Sequence, residues 1–345
     1  MDDLKSENNA ESGSLVFEGD NSVKSNIKLV EYSKDILKKE KYELCRQFDK
    51  KDTVKWIMVD GFSFIEIEEI GKCFNLHQLV LEDIKTDNRP KIEEYDNYLF
   101  VILKSFKVFK SKIVTKQVSL ILGEQFVISF QEEGSDLFDS VEKQIKISES
   151  EIRRNKNDFL LYALINAILN SYSALIEEME DKIDEIETEL VYNANKNTLN
   201  SINKLKKDII TLQKSIWPLQ EMTRVLQTNT FHLINDTTSF YLRDLHDHSV
   251  QISAMLDFFR DNTSGMLDTY LSSMSNNLND IVRVLTIITV IFAPLTFITG
   301  FFGMNFQNII PIFSTASIFD IFLLITLFIP IMMIIYFKRK GWLGV

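Results

Sequence analysis

Two long runs without a charged residue, both near the C-terminus, constrain this chain more than any other feature of its sequence. The first covers residues 284–319 and the second covers residues 321–337. A helix that spans a bilayer needs about 20 mostly apolar residues, and two such runs in tandem exceed what the core of a soluble domain needs. We therefore predict transmembrane helices at about 284–302 and 317–337, in preference to a buried hairpin of a soluble core.

The charges that flank the two runs predict how the chain crosses the membrane. Arg283 precedes the first run, and Lys338, Arg339 and Lys340 follow the second. Because Lys and Arg concentrate on the cytosolic side, both termini are predicted to lie in the cytosol and the connecting loop outside. The N-terminal residues show neither a signal peptide nor an Arg-rich transit sequence, so we expect a plasma (inner) membrane protein.

Charge separates the membrane part from the rest of the chain. Residues 281–345 carry a net charge of +3, and since the whole chain carries −11, the other 280 residues carry −14. So acidic a part argues against a nucleic-acid partner and leaves metal cations as candidate ligands. The two cysteines, Cys45 and Cys73, lack metal-site spacing and are expected to be reduced thiols.

Strand-like and helical patterns divide the cytosolic part. Apolar runs at 56–59, 98–103, 118–122 and 125–130 predict strands, and Gly123-Glu124 between the last two predicts a tight hairpin. From about residue 136, Gly and Pro become rare and helical periodicity begins. The predicted fold class is an α+β cytosolic domain with a long helical hairpin and a stalk helix, followed by two C-terminal transmembrane helices.

Seven segments follow from these patterns. They are a disordered N-terminal tail (1–26), a cytosolic α/β domain (27–135), a helical hairpin (136–235), a stalk helix that continues into the first transmembrane helix (236–302), an external loop (303–316), the second transmembrane helix (317–337) and a basic cytosolic tail (338–345).

The stalk has an apolar repeat with alternating steps of four and three residues. Its members are Leu267, Leu271, Met274, Leu278, Ile281 and Leu285. This heptad rhythm predicts packing against other helices. Either the partner is the hairpin of the same chain, or stalks from several subunits form a parallel bundle. Two spans alone cannot enclose a pore, so a transport function requires the bundle.

A stripe of small and weakly polar residues continues along the first predicted span. Its members are Asn279, Val282, Thr286, Thr289, Ala293, Thr296, Gly300 and Gly303. Small residues permit close packing of membrane helices, and the same face could line a pore. The residues leave these two interpretations open, and a symmetric bundle could satisfy both.

A resemblance to a known family appears at the end of this span. Gly303-Met304-Asn305 follows residues 294–300, and similar segments occur at Leu81-Glu82-Asp83-Ile84 and at residues 241–248. Together they resemble the CorA family of divalent-cation channels. The resemblance implies a homopentamer in the lipid bilayer that passes Mg²⁺, and often Co²⁺ or Ni²⁺, as a channel and not as an enzyme.

The same resemblance implies an ion pathway. Asn305 would form a ring of amide oxygens, with Gly303 at the turn and Met304 packing it, as the selectivity filter. A ring of neutral oxygens can accept hydrogen bonds from the waters that Mg²⁺ keeps. The expected pore-lining residues are Thr296, Ala293, Thr289, Leu285, Val282, Asn279 and Asp268.

Regulation is implied at a second place. By resemblance, Asp83 of one subunit and Asp244 of its neighbour hold a regulatory Mg²⁺, with Glu82 as a further candidate ligand. Two carboxylates repel each other without a cation and attract through one. The chain departs from many relatives in its uncharged external loop, so the gathering of cations outside is expected to be weaker.

Two other functions stay open. One is Zn²⁺ transport, as in the related zinc-transporting branch. The other is a membrane-anchored sensory or scaffold protein, whose hairpin of spans serves only as an anchor. The sequence contains no phosphate-binding Gly-rich loop and no nucleophile–base motif, which argues against an enzyme.

Overall fold

A computed structural model describes residues 26–42, 48, 52–61, 63–109, 112–131, 136–228, 231–304 and 316–342. The strands are β1 (Asn26–Tyr32), β2 (Leu37–Lys41), β3 (Val54–Asp60), β4 (Lys91–Tyr95), β5 (Tyr98–Phe109), β6 (Lys112–Gly123) and β7 (Phe126–Gln131). The helices are α1 (Phe64–Phe74), α2 (Gln78–Lys85), α3 (Asp139–Lys146), α4 (Glu151–Arg154), α5 (Asn157–Asn193), α6 (Lys196–Thr228), α7 (Asp236–Phe302) and α8 (Ala316–Arg339). Almost all of the predicted tail and most of the predicted external loop lie outside the described residues.

The seven strands form one sheet in the order β2-β1-β3-β7-β6-β5-β4. β3 and β7 pair in parallel, and the other neighbours in the described sheet are antiparallel. The predicted hairpin at Gly123-Glu124 is confirmed, because β6 and β7 pair antiparallel across it. Three strands were not predicted: the inner strand β1, which buries Leu29 and Val30, and the outermost strands β2 and β4. The sequences of β2 and β4, LKKEK and KIEEY, are polar because these strands lie at the edges of the sheet.

Helices pack on both faces of the sheet. On one face, Ile67 and Ile70 of α1 belong to a buried cluster with Val80 and Ile84 of α2 and with sheet residues such as Ile57. On the other face, the ring of Trp56 contacts Phe138 edge-on, with centroids 6.0 Å apart. Helix α5 is joined to the sheet by a 3.0 Å hydrogen bond that the buried hydroxyl of Tyr172 donates to the main-chain oxygen of Lys104 on β5.

The chain forms two compact units. One contains the described residues up to Ile186 together with Ser201–Thr263, and the other contains Glu187–Asn200 and the described residues from Ser264 onwards. In the first unit, side-chain hydrogen bonds join the three long helices. Ser173 of α5 lies 2.9 Å from His248 of α7, and Gln213 of α6 donates a 2.9 Å hydrogen bond to Asp257 of α7.

Two described helices, Asn157–Tyr192 and Asp236–Phe301, are long and apolar enough to cross a membrane by length and composition. They differ in burial. Of an apolar 18-residue stretch in each helix, 61% is buried in the first helix and 6% in the second. The first is therefore a core helix of its own unit. The last helix, α8, also exposes large apolar side chains, such as Leu324 and Phe328. A mixed sheet with long helices and exposed apolar helices at the C-terminus confirms the predicted fold class.

The expectation for the cysteines was wrong. Cys73, in the last turn of α1, is disulfide-bonded. The only other cysteine of the chain, Cys45, lies outside the described residues. Spacing along the sequence gives no information on which side chains a sheet and its covering helices bring together, which is why the pattern was misread.

Candidate ion pathway and cation-sensing site

The seven predicted pore-lining residues share one face of α7. At 100° per residue, the positions from Asp268 to Thr296 fall within an arc of about 120° on an ideal helix. All seven residues are exposed in the single chain, and the side chains of Val282 and Leu285 are 59% and 62% exposed. Apolar side chains this exposed are left largely uncovered by the part of the chain that the structure describes. The face is thus available to other subunits, to lipid or to a lumen.

The threonines of this helix have their hydroxyl hydrogens already engaged. Thr289 donates to the main-chain oxygen of Leu285 at 2.8 Å, and Thr296 donates to that of Phe292 at 2.9 Å. A hydroxyl has one hydrogen and two acceptor lone pairs. Once the hydrogen is used inside the helix, the oxygen can act towards the surroundings only as an acceptor. This polarity suits a cation, or the hydrogens of the waters around it.

Helix α7 ends at its C-terminus in a tight turn. The amide of Gly303 donates to Thr299 at 2.9 Å, and the amide of Met304 donates to Phe301 at 3.3 Å. A Cβ at Gly303 would lie 3.2 Å from the main-chain oxygen of Thr299. The described glycines with positive φ are Gly61 and Gly341, so Gly303 is favoured by close approach and not by a left-handed turn. Asn305, the central residue of the predicted filter, lies outside the described residues.

The second predicted site begins on α2, which carries Asp83 in its last turn. His77 caps the start of this helix by accepting the amide of Leu79 at 3.2 Å. Near the C-terminal end, the unpaired main-chain oxygens of a helix carry partial negative charge. A carboxylate at this end is therefore in a negative environment, which a nearby cation stabilises.

Lys91 on β4 supplies such a cation. Its Nζ lies 2.7 Å from Oδ2 of Asp83 and 2.7 Å from Oε1 of Glu93, so one ammonium joins two carboxylates. Burial by itself lowers the pKa of Lys91, but the hydrogen bonds and charges of both carboxylates outweigh this and raise the pKa. The Tyr95 hydroxyl donates a 3.1 Å hydrogen bond to Oε2 of Glu93. Burial, followed by the contact with Glu93, raises the pKa of Tyr95 to about 12.

A second set of contacts holds the main chain at Asp83. Its oxygen accepts hydrogen bonds from Gln117 at 2.8 Å and from Asn88 at 3.1 Å. The buried ammonium of Lys104 donates to Gln117 at 3.2 Å and also pairs with Asp87. The segment between α2 and β4 is therefore tied to strands β5 and β6, which fixes the position of Asp83.

The other two candidate ligands are exposed. Asp244 is near the start of α7 and Glu82 is on α2, and neither side chain is buried. Burial raises the pKa of Tyr162, and the negative charge of Asp244 raises it further. Within the described part of one chain, no group of three His, Cys, Asp or Glu side chains could hold a metal ion. A metal site made by Asp83 of one subunit and Asp244 of its neighbour stays a prediction.

Sequence reasoning missed Lys91, Glu93 and Lys104 as parts of this region. Lys104 follows the apolar run of β5, where a buried ammonium is unexpected. The pairing of Lys91 with Asp83 bridges eight residues across a loop. No helical or strand period could have indicated that pairing.

Comparison with known proteins agrees with this architecture. The family profile described as "CorA-like Mg2+ transporter protein" matches residues 51–339. The cobalt/magnesium transport protein CorA of Thermotoga maritima is 38% identical over 338 residues, which cover 96% of each chain. The cobalt/magnesium transport protein CorA of Methanocaldococcus jannaschii is 24% identical over 255 residues, covering 74% of this chain and 80% of that protein.

A solved structure has the same fold. The complete structure of the CorA magnesium transporter from Methanocaldococcus jannaschii matches with a TM-score of 0.79 at 21% identity, covering 93% of this chain and 99% of that one. The profile covers most of the chain, and the Thermotoga relative matches along nearly its whole length. The chain therefore belongs to the CorA family of Mg²⁺ transporter proteins.

Proposed function

We propose that five copies of this chain form a channel that admits Mg²⁺, and also Co²⁺, through the plasma membrane into the cytosol. The observation that carries the proposal is the exposed face of α7, on which oxygen-bearing and small residues recur. In a five-fold bundle these residues would surround one axis, while the remaining apolar faces would contact lipid. The activity of this family is transport and not catalysis. The family description names Mg²⁺ and not Zn²⁺ as the transported ion.

The chemistry of the face supports passage of a hydrated ion. Mg²⁺ loses water reluctantly, so a pathway that accepts its waters costs less than one that removes them. The hydroxyl oxygens of Thr289 and Thr296 and the amide of Asn279 can accept hydrogen bonds from these waters. Val282 and Leu285 are apolar and would form a constriction that closes by dewetting.

Asn305 is the proposed selectivity residue, with Gly303 and Met304 shaping the turn that presents it. Five amide oxygens at the outer mouth would orient the waters of the ion without the tight hold of a carboxylate ring. The support is the sequence motif at the end of α7 and the exposed helix face that leads to it.

We also propose that cytosolic Mg²⁺ closes the channel by bridging Asp83 of one subunit to Asp244 of the next. Glu82 is a further candidate ligand. A ligand shifts such an equilibrium only by its preference for one state, which here is the bridged and closed one. Both termini would lie in the cytosol, as the positive charges that flank the apolar runs suggest.

Uptake of Mg²⁺, Co²⁺ and Zn²⁺ into proteoliposomes tests the transport proposal directly. Wild-type protein should admit Mg²⁺, and Asn305→Ala should abolish Mg²⁺ uptake while the oligomer still assembles. Native mass measurement in detergent should give about five times the chain mass of 40.1 kDa. Uptake of Zn²⁺ alone would favour the zinc alternative. No uptake of any ion would favour the membrane-anchored scaffold.

A further inference from the structure

One ammonium group already occupies the carboxylate that the proposed gate would use. Nζ of Lys91 lies 2.7 Å from Oδ2 of Asp83, and the Asp83 side chain is 20% exposed. The same ammonium is 2.7 Å from Oε1 of Glu93. A divalent cation bound directly at Oδ2 would therefore compete with Lys91 for the same oxygen.

From this geometry we infer that Lys91 is a tethered competitor of the regulatory cation and sets the Mg²⁺ concentration at which the channel closes. The inference rests on the proposed function, because it assigns a competitor to the proposed gating carboxylate. It adds a residue that determines the threshold and does not itself hold the ion.

Glu93 gives the displaced ammonium a place to remain. Lys91 contacts both carboxylates at once, so it can release Asp83 while keeping its bond to Glu93. Oε2 of Glu93 is held in turn by the Tyr95 hydroxyl at 3.1 Å, and the Tyr95 ring stacks on Tyr98 with centroids 4.8 Å apart. Glu93 thus makes the exchange easier by keeping Lys91 paired after the ion arrives.

Asp83 itself does not have to move during this exchange. Its main-chain oxygen is fixed by Gln117 and Asn88, at 2.8 and 3.1 Å. The Lys91 side chain is 33% exposed and long, so it can swing between partners without rearranging the sheet. Because both cations exchange at a fixed carboxylate, closure depends on the ratio of two affinities. One is the affinity of Asp83 for Mg²⁺, and the other is the affinity of Asp83 for the Lys91 ammonium.

The test measures the Mg²⁺ concentration that half-protects the cytosolic part of the full-length protein from protease in detergent. Lys91→Met should lower this midpoint about two- to fivefold, the factor expected from loss of one partly exposed ion pair. Lys91→Arg keeps the charge and should leave the midpoint close to wild type. The matched control is Lys85→Met, which removes the same charge two residues from Asp83 but whose own partner is Glu68, at 3.7 Å.

Glu93→Gln gives the opposite prediction. Without Glu93, the ammonium has only Asp83 as a partner and holds it more firmly, so the midpoint should rise. In the Lys91→Met background the same change should lose most of its effect. A purely structural ion pair would instead weaken the fold in both variants, which melting temperatures in EDTA would report.

The outcomes separate the two proposals. If Asp83→Ala abolishes Mg²⁺ protection and Lys91→Met leaves the midpoint unchanged, the competitor role is wrong and the gating site stands. If Asp83→Ala keeps full Mg²⁺ protection, the gating site itself is wrong. Loss of Mg²⁺ protection in Asp83→Ala, together with a lower midpoint in Lys91→Met, would support both.

Discussion

The indole Nε1 of Trp56 on β3 donates a 2.9 Å hydrogen bond to the hydroxyl of Ser129 on β7, and both side chains are fully buried. These two strands form the parallel pair in the described sheet, between two antiparallel halves. The bond satisfies the polar atom of the largest fully buried side chain in the described core.

Ser129→Ala should therefore destabilise the unit that contains the sheet by about 1–3 kcal/mol, because the Trp56 N–H stays buried and loses its acceptor. The measurement is thermal unfolding of the full-length protein, followed by tryptophan fluorescence. Ser105→Ala is the control, since that hydroxyl makes only a long 3.4 Å bond to a main-chain oxygen. Equal losses of stability in the two variants would contradict the assigned role.

Threonine oxygens on α7 give a prediction for transport. Thr296→Val keeps the shape of the side chain but removes its acceptor oxygen, so Mg²⁺ uptake should fall about three- to tenfold. Thr299→Val is the matched control. Thr299 donates to the main-chain oxygen of Leu295 in the same way, at 2.8 Å, but is about 100° from the centre of the predicted pore face. An equal loss of uptake in both variants would argue against pore lining.

Hydropathy predicted the membrane helices because their sequences contain long apolar runs that are free of charge. Residues 284–319 contain no charge, and helix α7 extends to Phe302. The seven-stranded sheet was predicted less completely. β3 and β6 were identified from their apolar runs, but β1 was missed although it buries Leu29 and Val30. β2 was missed because it exposes Lys and Glu along most of its length.

The candidate sensing site was predictable only in part. The sequence motif indicated Asp83, but not its pairing with Lys91, which depends on how the segment from α2 to β4 turns back. That turn is held by Lys104 and Gln117 from two other strands. Contacts of this kind come from tertiary structure and do not produce a helical or strand periodicity in the sequence.

Alkaline titration should report the contact between Tyr95 and Glu93. The folded-state pKa of Tyr95 is raised to about 12 from the ordinary value of 10.0, first by burial and then by Glu93. Because the pKa is raised on folding, this contribution to stability is complete below pH 10 and is lost as the pH rises towards 12. The measurement is the ultraviolet difference titration of wild type against Tyr95→Phe. A difference signal centred near pH 10 would contradict the prediction.

The proposed gate gives the last prediction. With Mg²⁺ bound between subunits, Asp83 and Asp244 are bridged, and the cytosolic part should resist protease. Replacing both residues by Ala removes the bridge and the repulsion together, so cleavage should become insensitive to Mg²⁺. Asp83→Lys places a fixed cation opposite Asp244 of the neighbouring subunit and should therefore give protection without Mg²⁺. Asp247→Ala, which removes the same charge three residues further along α7, should keep the wild-type response. If the double Ala variant keeps full Mg²⁺ protection, the sensor lies elsewhere on the acidic cytosolic part, and the run of carboxylates at residues 177–189 becomes the next candidate.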